Sequence, residues 1–394
     1  MNLKFDFTDR FTRISKAATV AGMALTLAAV AACAPAEGEG TGTAGGAEGQ
    51  DVSEFVTAVS EHEKGPTTFA GPTSGKPAPT GKNLAVIPCG VAVGGCNTPG
   101  EAAKAAAEGI GWKVTVYDGQ ANPRTQNQMV LNAISGGADA IITVAVDQKL
   151  IQQGLEAAKK AGVPVISMNN GTGTPNPQVA SSDKFTFTAD VSPDYGGNGK
   201  MQAEWVIAQS KGNAVVMPVV TQEYTSNTVT FEAFKKEMAR CSTCKVLDPV
   251  DFTTAEIASG ALGTRTVAAL QSKPDVNFIY TGFDSAAAAE VTSIMQAGLA
   301  NRVQLVSAVG DPINREFIRK GQVQGATVVE IPSMLGYAAI DQVIRVLGGE
   351  KVFEPQNQGA GVVLLTKNNM IGNEEPWPLA FDVKAAYHKL WGVQ

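Results

Sequence analysis

Histidine, aromatic residues and charge are all scarce in this chain, and each shortage excludes something. Only two histidines occur among 394 residues, His62 and His388, both near the ends. A histidine-based metal site or a Ser–His triad in the body of the chain is thereby excluded. Charged residues make up 17% with a formal net charge of −6 and no basic block, which excludes a nucleic-acid partner held by phosphate neutralisation. Gly94-Gly95 is not followed by Lys and Ser or Thr, so it is no phosphate-binding loop. Aromatics amount to 6%, yet hydrophobic residues reach 44%, enough for real cores and too many for wholesale disorder. The composition suits an α/β protein that binds something rather than an enzyme, with no catalytic residues, cofactor or metal expected. The length predicts about two domains.

The first segment reads as an address. Arg10, Arg13 and Lys16 precede an uncharged run, Ala17–Ala32, that is shorter than the ~20 residues of a membrane span. The run ends in Val30-Ala31-Ala32-Cys33. This resembles a bacterial lipoprotein signal, residues 1–32, which implies cleavage before Cys33 and a lipid on its sulfur. The protein would then be extracytoplasmic, anchored to the outer face of the bacterial cell membrane. A plain secretory signal that contains a cysteine is the alternative. Residues 33–81 are expected to be a flexible tether and Pro/Gly-rich spacer, broken by one short helix over Asp51–Lys64, with packing starting only near Lys82.

From Asn83 strands and helices alternate. Apolar, β-branched runs at Leu84–Ile87, Val114–Tyr117, Ala140–Val144 and Pro164–Met168 are separated by helical patterns at Pro99–Gly109, Arg124–Ser135 and Gln148–Ala161. Thr98 is placed to cap the first helix, with Pro99 at its first position. A second series begins at Asn213, with strands near Val246–Val250, Val276–Tyr280, Gln304–Ala308 and Ala326–Val329. A helix over Ser333–Leu347, a strand at Val362–Thr366 and a tail over 371–394 containing Trp377 and Trp391 follow. Such alternation predicts parallel sheets covered on both faces.

Several stretches resemble, in order, the ribose-type (type I) periplasmic sugar-binding proteins of ABC importers. Gly111-Trp112-Lys113-Val114 leads to Tyr117-Asp118-Gly119-Gln120-Ala121-Asn122-Pro123, like that family's second strand and its D-x-x-x-N-P turn. Gly137-Ala138-Asp139-Ala140-Ile141-Ile142, Ala161-Gly162-Val163-Pro164-Val165-Ile166, Asp251-Phe252 and Leu347-Gly348-Gly349-Glu350 match further pieces. The likeness runs from about Lys82 to Asn368. It implies two similar Rossmann-like lobes with parallel sheets, three hinge crossings and a ligand cleft between the lobes. The lobes would be 82–190 plus 332–359 and 191–331 plus 360–370. It also implies a monomeric solute-binding protein that closes on a small molecule and presents it to a membrane permease and its ATPase. A receptor of the same fold signalling to a sensor kinase, and an exported hydrolase using a carboxylate pair, are the alternatives.

Carried over residue by residue, the family's contacts fall on altered chemistry. Asn169-Asn170 stand where the family often has Asp-Arg, Thr230 where an arginine opens a helix, and Phe252 where an aromatic stacks on the sugar. Phe283, beside Asp284, aligns with a pocket Asn; Val309, just before Gly310-Asp311, aligns with a carboxylate; Glu330 replaces a hinge-strand Gln. Asp147, Asp284, Asp311 and Glu330 are the carboxylates expected to reach the cleft. Charge-assisted bonds are roughly twice as strong as neutral ones, so their loss points to a neutral ligand less densely hydroxylated than an aldopyranose. A sugar held by other polar groups, such as Gln222 and Tyr224, remains the other reading. Cys89 and Gly90 fall where the family carries ligand-contacting residues. Exported cysteines normally pair, so Cys89–Cys96 is expected to close a small loop on one wall of the cleft. Cys241–Cys244 lies at a helix C-terminus, where the dipole disfavours a thiolate, and is expected to be a structural disulfide. With Cys33 lipidated, the cysteines are then all used.

Overall fold

The computed structural model describes residues 50–171, 184–370 and 378–393; Cys33, the signal segment and Trp377 lie outside them. In chain order, α1 (Ser53–His62) is followed by β1 (Asn83–Pro88), α2 (Gly94–Glu108), β2 (Lys113–Val116), α3 (Pro123–Ser135) and β3 (Ala140–Val144). Next come α4 (Gln152–Ala161), β4 (Val165–Met168) and β5 (Ala189–Val191). These strands form a parallel sheet in the order β2-β1-β3-β4-β5. The second series is α5 (Tyr195–Ser210), β6 (Val215–Val220), α6 (Thr225–Met238), β7 (Lys245–Val246), β8 (Val250–Asp251), α7 (Thr254–Ala258) and α8 (Ala261–Ser272). It continues with β9 (Phe278–Thr281), α9 (Asp284–Gln296), β10 (Gln304–Val309), α10 (Pro312–Arg319), β11 (Gln324–Glu330), α11 (Pro332–Leu347), β12 (Val362–Thr366) and α12 (Val383–Trp391). Its sheet runs β12-β11-β10-β9-β6-β7, with β8 also on β6 and only β12 antiparallel.

Local chemistry explains most of the boundaries. Asn122 caps α3 by accepting from the amides of Arg124 and Thr125 at 3.0 and 3.2 Å, with Pro123 at the first helical position. Gly162, at φ +70°, closes α4 in a left-handed turn. Three expectations are corrected. The helix expected from Pro99 starts at Gly94, with Val93 O accepting from Cys96 and Asn97 at 2.9 Å each and Pro99 inside it. A Gly-Gly pair reads as a loop because glycine disfavours helix by about 1 kcal/mol. Here Gly94 lies against Asp311 of the other lobe, where a Cβ would come within 2.5 Å of its carboxylate, and Gly95 faces Val309. The helix that precedes Cys241, expected over Phe231–Arg240, begins earlier, at Thr225, through a β-branched, polar run of weak helical propensity. The single strand expected over Val246–Val250 is two short pieces, with Pro249 between them denying the ladder a donor.

Each sheet carries an apolar cluster on both faces. In the first lobe, one face holds Val86, Ile142 and Ile166 with Ala103 of α2 and Ile340 of α11, and the other holds Ile87, Ile141 and Leu155. In the second lobe, Val216, Trp205 and Phe234 pack on one face, and Ile279, Leu262 and Val291 on the other. The chain passes between sheets from β5 to α5, from β11 to α11 and from α11 to β12, which are the three expected crossings.

Residues 51–81 are not the flexible spacer the composition suggests. Phe55 and Val59 of α1 are buried in the second lobe's core, and His62 Nε2 meets Glu204 Oε2 at 2.6 Å. The chain then runs over to the first lobe, where Phe69 stacks edge-on against Tyr387 with centroids 5.2 Å apart. The carbonyls of Ser74 and Pro79 accept from Arg345 Nη2 and Trp112 Nε1 at 2.7 Å each. Few apolar residues are present, but each finds a core, and donors buried in the body use the strap's carbonyls. The tail, left without a role by the sequence, is described over 378–393. Its α12 buries Tyr387 and Trp391 against α11.

Candidate ligand-binding cleft

Open parallel sheets leave a crevice beyond the C-terminal ends of their strands. Here the crevices of the two lobes face each other around a cavity of about 60 Å³. Roughly 10–15 Å³ holds one water, so the space fits a few such groups, the scale of a small solute. The first lobe supplies Val93, Gly95, Cys96, Ala145 and Asn169. The second supplies Tyr224, Ser226, Asn227 and Thr230 around the start of α6, Gly282, Phe283 and Ser285 after β9, and Ala308, Val309 and Asp311 at the end of β10. Tyr195 and Glu330 come from the hinge. No lysine, arginine or histidine is among the lining residues.

Three lining residues carry left-handed backbones, Ala145 at φ +51°, Asn169 at +56° and Val309 at +105°. For a β-branched residue such as Val309 this is a strained conformation, of the kind that collects at ligand sites. The loop after it is pinned by Asp284, a fully buried carboxylate that accepts from the amides of Gly310 and Asp311 at 2.8 and 2.7 Å. Thr327 Oγ1, at 2.9 Å, and Ser307 Oγ also donate to it. Burial pushes the Asp284 carboxyl up to about 7.

Glu330 is 4% exposed and accepts from Asn169 Nδ2 across the lobes at 2.6 Å. Burial raises its carboxyl to about 8, with neighbouring Asp311 and Asp284 adding to the shift. At neutral pH it therefore carries a proton and can donate to a ligand. Asn169 Oδ1, buried at the same wall, has no hydrogen-bond partner. A buried acceptor of this kind calls for a donor. Burial also raises Asp311, an effect opposed by the fully buried guanidinium of Arg315. Tyr224 and Phe283 form an edge-to-face pair at 5.9 Å, an apolar wall.

Of the residues expected at the site, Asn169, Tyr224, Thr230, Phe283, Asp311 and Glu330 line the cavity. The others stand behind or beside it. Cys89 is fully buried, and its carbonyl accepts from the Ala121 amide at 2.7 Å. Gly90 packs so closely there that a Cβ would lie 2.8 Å from Ala121 N. The Asn170 amide bonds Ser192 Oγ at 2.9 Å, behind the wall. Phe252 backs Phe283 at 6.0 Å. Gln222 lies in a separate groove beside Cys241 and Cys244. Asp147 bonds the opposite lobe, with Thr225 Oγ1 donating to its Oδ2 at 2.7 Å. Tyr195, Ser226, Asn227 and Ser285 were not anticipated. Tyr195 opens a helix in a Tyr-Gly-Gly run directly after a crossing, which is the one local signal available. Both disulfides, Cys89–Cys96 and Cys241–Cys244, are formed.

Two α/β lobes joined by three crossings over a small interlobe cavity define a bilobal binding protein. Residues 84–351 match the family model described as periplasmic binding protein domain, and the chain belongs to that family. It is 22% identical over 255 residues to the ribose import binding protein of Salmonella typhimurium, covering 64% of this chain and 80% of that protein. Among solved structures, it is similar to a solute-binding protein of an ABC transporter from Agrobacterium vitis bound with α-D-tagatopyranose. That match has a TM-score of 0.65 at 21% identity over 73% of this chain and 95% of the other. Another solute-binding protein from the same organism, with bound allitol, gives 0.64 at 17% over 74% and 97%. These relatives are binding proteins of transporters rather than enzymes.

Proposed function

We propose that the protein is the solute-binding lipoprotein of an ABC importer. It captures a small neutral sugar, polyol or less polar compound by lobe closure and delivers it to a membrane permease driven by its ATPase. The observation that carries this reading is the interlobe cavity lined by amides, hydroxyls, aromatic rings and two acids whose carboxyls burial raises, Asp311 and Glu330, with no basic side chain. Such a wall suits an uncharged ligand, and the allitol and tagatose bound by similar proteins are uncharged. Cys33 would hold the protein at the outer face of the membrane.

The test has two stages. Mass spectrometry of the natively purified protein identifies the ligand it retains, and small-angle scattering with that compound reads closure. An uncharged compound that compacts the protein is expected. A retained phosphate or carboxylate ligand, or tight binding without compaction, would overturn the reading.

A further inference from the structure

Two carboxylates reach across the cleft, each to the first residue of a helix in the opposite lobe. Asp147, behind β3 of the first lobe, accepts from Thr225 Oγ1 at 2.7 Å, and Thr225 opens α6. Asp311, behind β10 of the second lobe, lies against Gly94, which opens α2; a Cβ there would sit 2.5 Å from Asp311 Oδ1. The two helices hold matching places, each following the first strand of its lobe's series. Neither has a side-chain cap of its own, their preceding residues being Val93 and Tyr224. A helix N-terminus presents unpaired amides and partial positive charge, which a carboxylate satisfies.

We propose that Asp147 and Asp311 are a reciprocal clasp. When the cleft shuts, each lobe sets a carboxylate at the start of the other's leading helix, Asp147 bonded to Thr225 Oγ1 and Asp311 packed against Gly94, so Asp147 and Thr225 are positioning residues for closure. Asp147 suits this role because its other oxygen is held in place from its own side. Oδ1 accepts from the Lys149 amide at 3.1 Å, and Lys149 Nζ, half exposed, lies 3.1 Å from Oδ2. When the lobes part, Oδ2 loses Thr225 but keeps the ammonium, so opening strands no bare charge. Gly94 fits the same logic, since a side chain there would meet Asp311 before the lobes met.

The clasp rests on the lobe-closing reading but is tested without ligand. Spin labels on exposed Gln128 of α3 and Gln296 of α9 report the interlobe distance in the full mature chain stripped of ligand. The expected wild-type distribution has a short and a long component. Thr225→Val should lower their ratio roughly tenfold and Thr225→Ser should restore it, since a bond to a charged group carries this size of effect. Asp311→Asn should lower it by about two- to fivefold, by taking a negative charge from the start of α2. Thermal melting should stay put in the Thr225 variants, Thr225 being only part-buried. A wild type with no short component, or distributions unchanged by both Thr225→Val and Asp311→Asn, would overturn the clasp and leave ligand capture standing. Failure of the ligand to compact the protein would strike the capture reading while leaving this readout intact.

Discussion

The acids inside this protein differ from those on its surface in the direction their proton affinity moves. Asp284, Glu290 and Glu330 are raised by burial, to about 7, 8 and 8. Half-buried Glu156 and Glu316 are lowered, the first by Lys160 and the second by Lys320 with Arg319. A carboxyl raised in the folded state binds its proton more tightly there than in the unfolded chain. Its stabilisation is therefore complete below about pH 4.5 and is lost as pH rises through 7 to 8. Unfolding in urea should thus show stability falling between pH 5 and 8. In Glu330→Gln the fall should be shallower by up to one proton's worth, about 1.4 kcal/mol per pH unit. An unaltered slope would mean that Glu330 is ionised throughout that range. Family pattern made Glu330, Asp311 and Asn169 legible in the sequence. It could not separate them from Asp284 and Asp147, because all are acids or amides just past a strand. Which way such a side chain points depends on partners far along the chain, Gly310 and Thr327 for Asp284 and Thr225 for Asp147.

Among elements, the strands and the helices between them were readable because their apolar periodicity is local. The helix expected over Asp51–Lys64 is α1, but the docking of the strap over 51–81 and of α12 was not readable, because what holds them lies elsewhere in the chain. In α12, Trp391 Nε1 donates to Asp341 Oδ1 at 2.9 Å, and Asp341 Oδ2 pairs with Arg345 Nε at 2.6 Å. Gln358 Nε2 joins the same carboxylate at 2.8 Å, and Gln358 Oε1 accepts from Tyr387 at 2.8 Å. The tryptophan ring also stacks on Tyr337 with centroids 5.7 Å apart. A tail helix of nine residues would be marginal alone, so this packing is what keeps it formed. Trp391→Ala should destabilise the protein by about 3–5 kcal/mol, read as a lower urea midpoint. A change under about 1 kcal/mol would show that α12 is merely laid on the surface.

For the molecule as a whole, the question is how freely the lobes can turn about the three crossings. The strap follows the third crossing closely as it passes from one lobe to the other. Glu63 Oε1 accepts from Thr366 Oγ1 and, at 3.0 Å, from Asn368 Nδ2, and its carbonyl accepts from Asn369 Nδ2 at 2.8 Å. Gly65 lies against Val363, where a Cβ would come within 3.0 Å of its side chain; Pro66 faces Gly361 and Ala70 faces Gly359. Any rotation that bends the chain at 359–362 must bend or peel the strap with it. The strap and the crossing it follows both lie outside the family match, residues 84–351, and the strap ties itself to that crossing. Removing the Glu63 carboxylate takes away an acceptor shared by two donors and leaves both to solvent. Glu63→Ala should therefore raise amide exchange across 359–366 roughly tenfold, each bond to a charged group carrying about 1.5–3 kcal/mol. Amides of β1 and β3, in the interior of the other sheet, should be unaffected. If the whole second sheet speeds up equally, the strap stabilises the fold globally. If only 359–366 responds, it acts on the hinge.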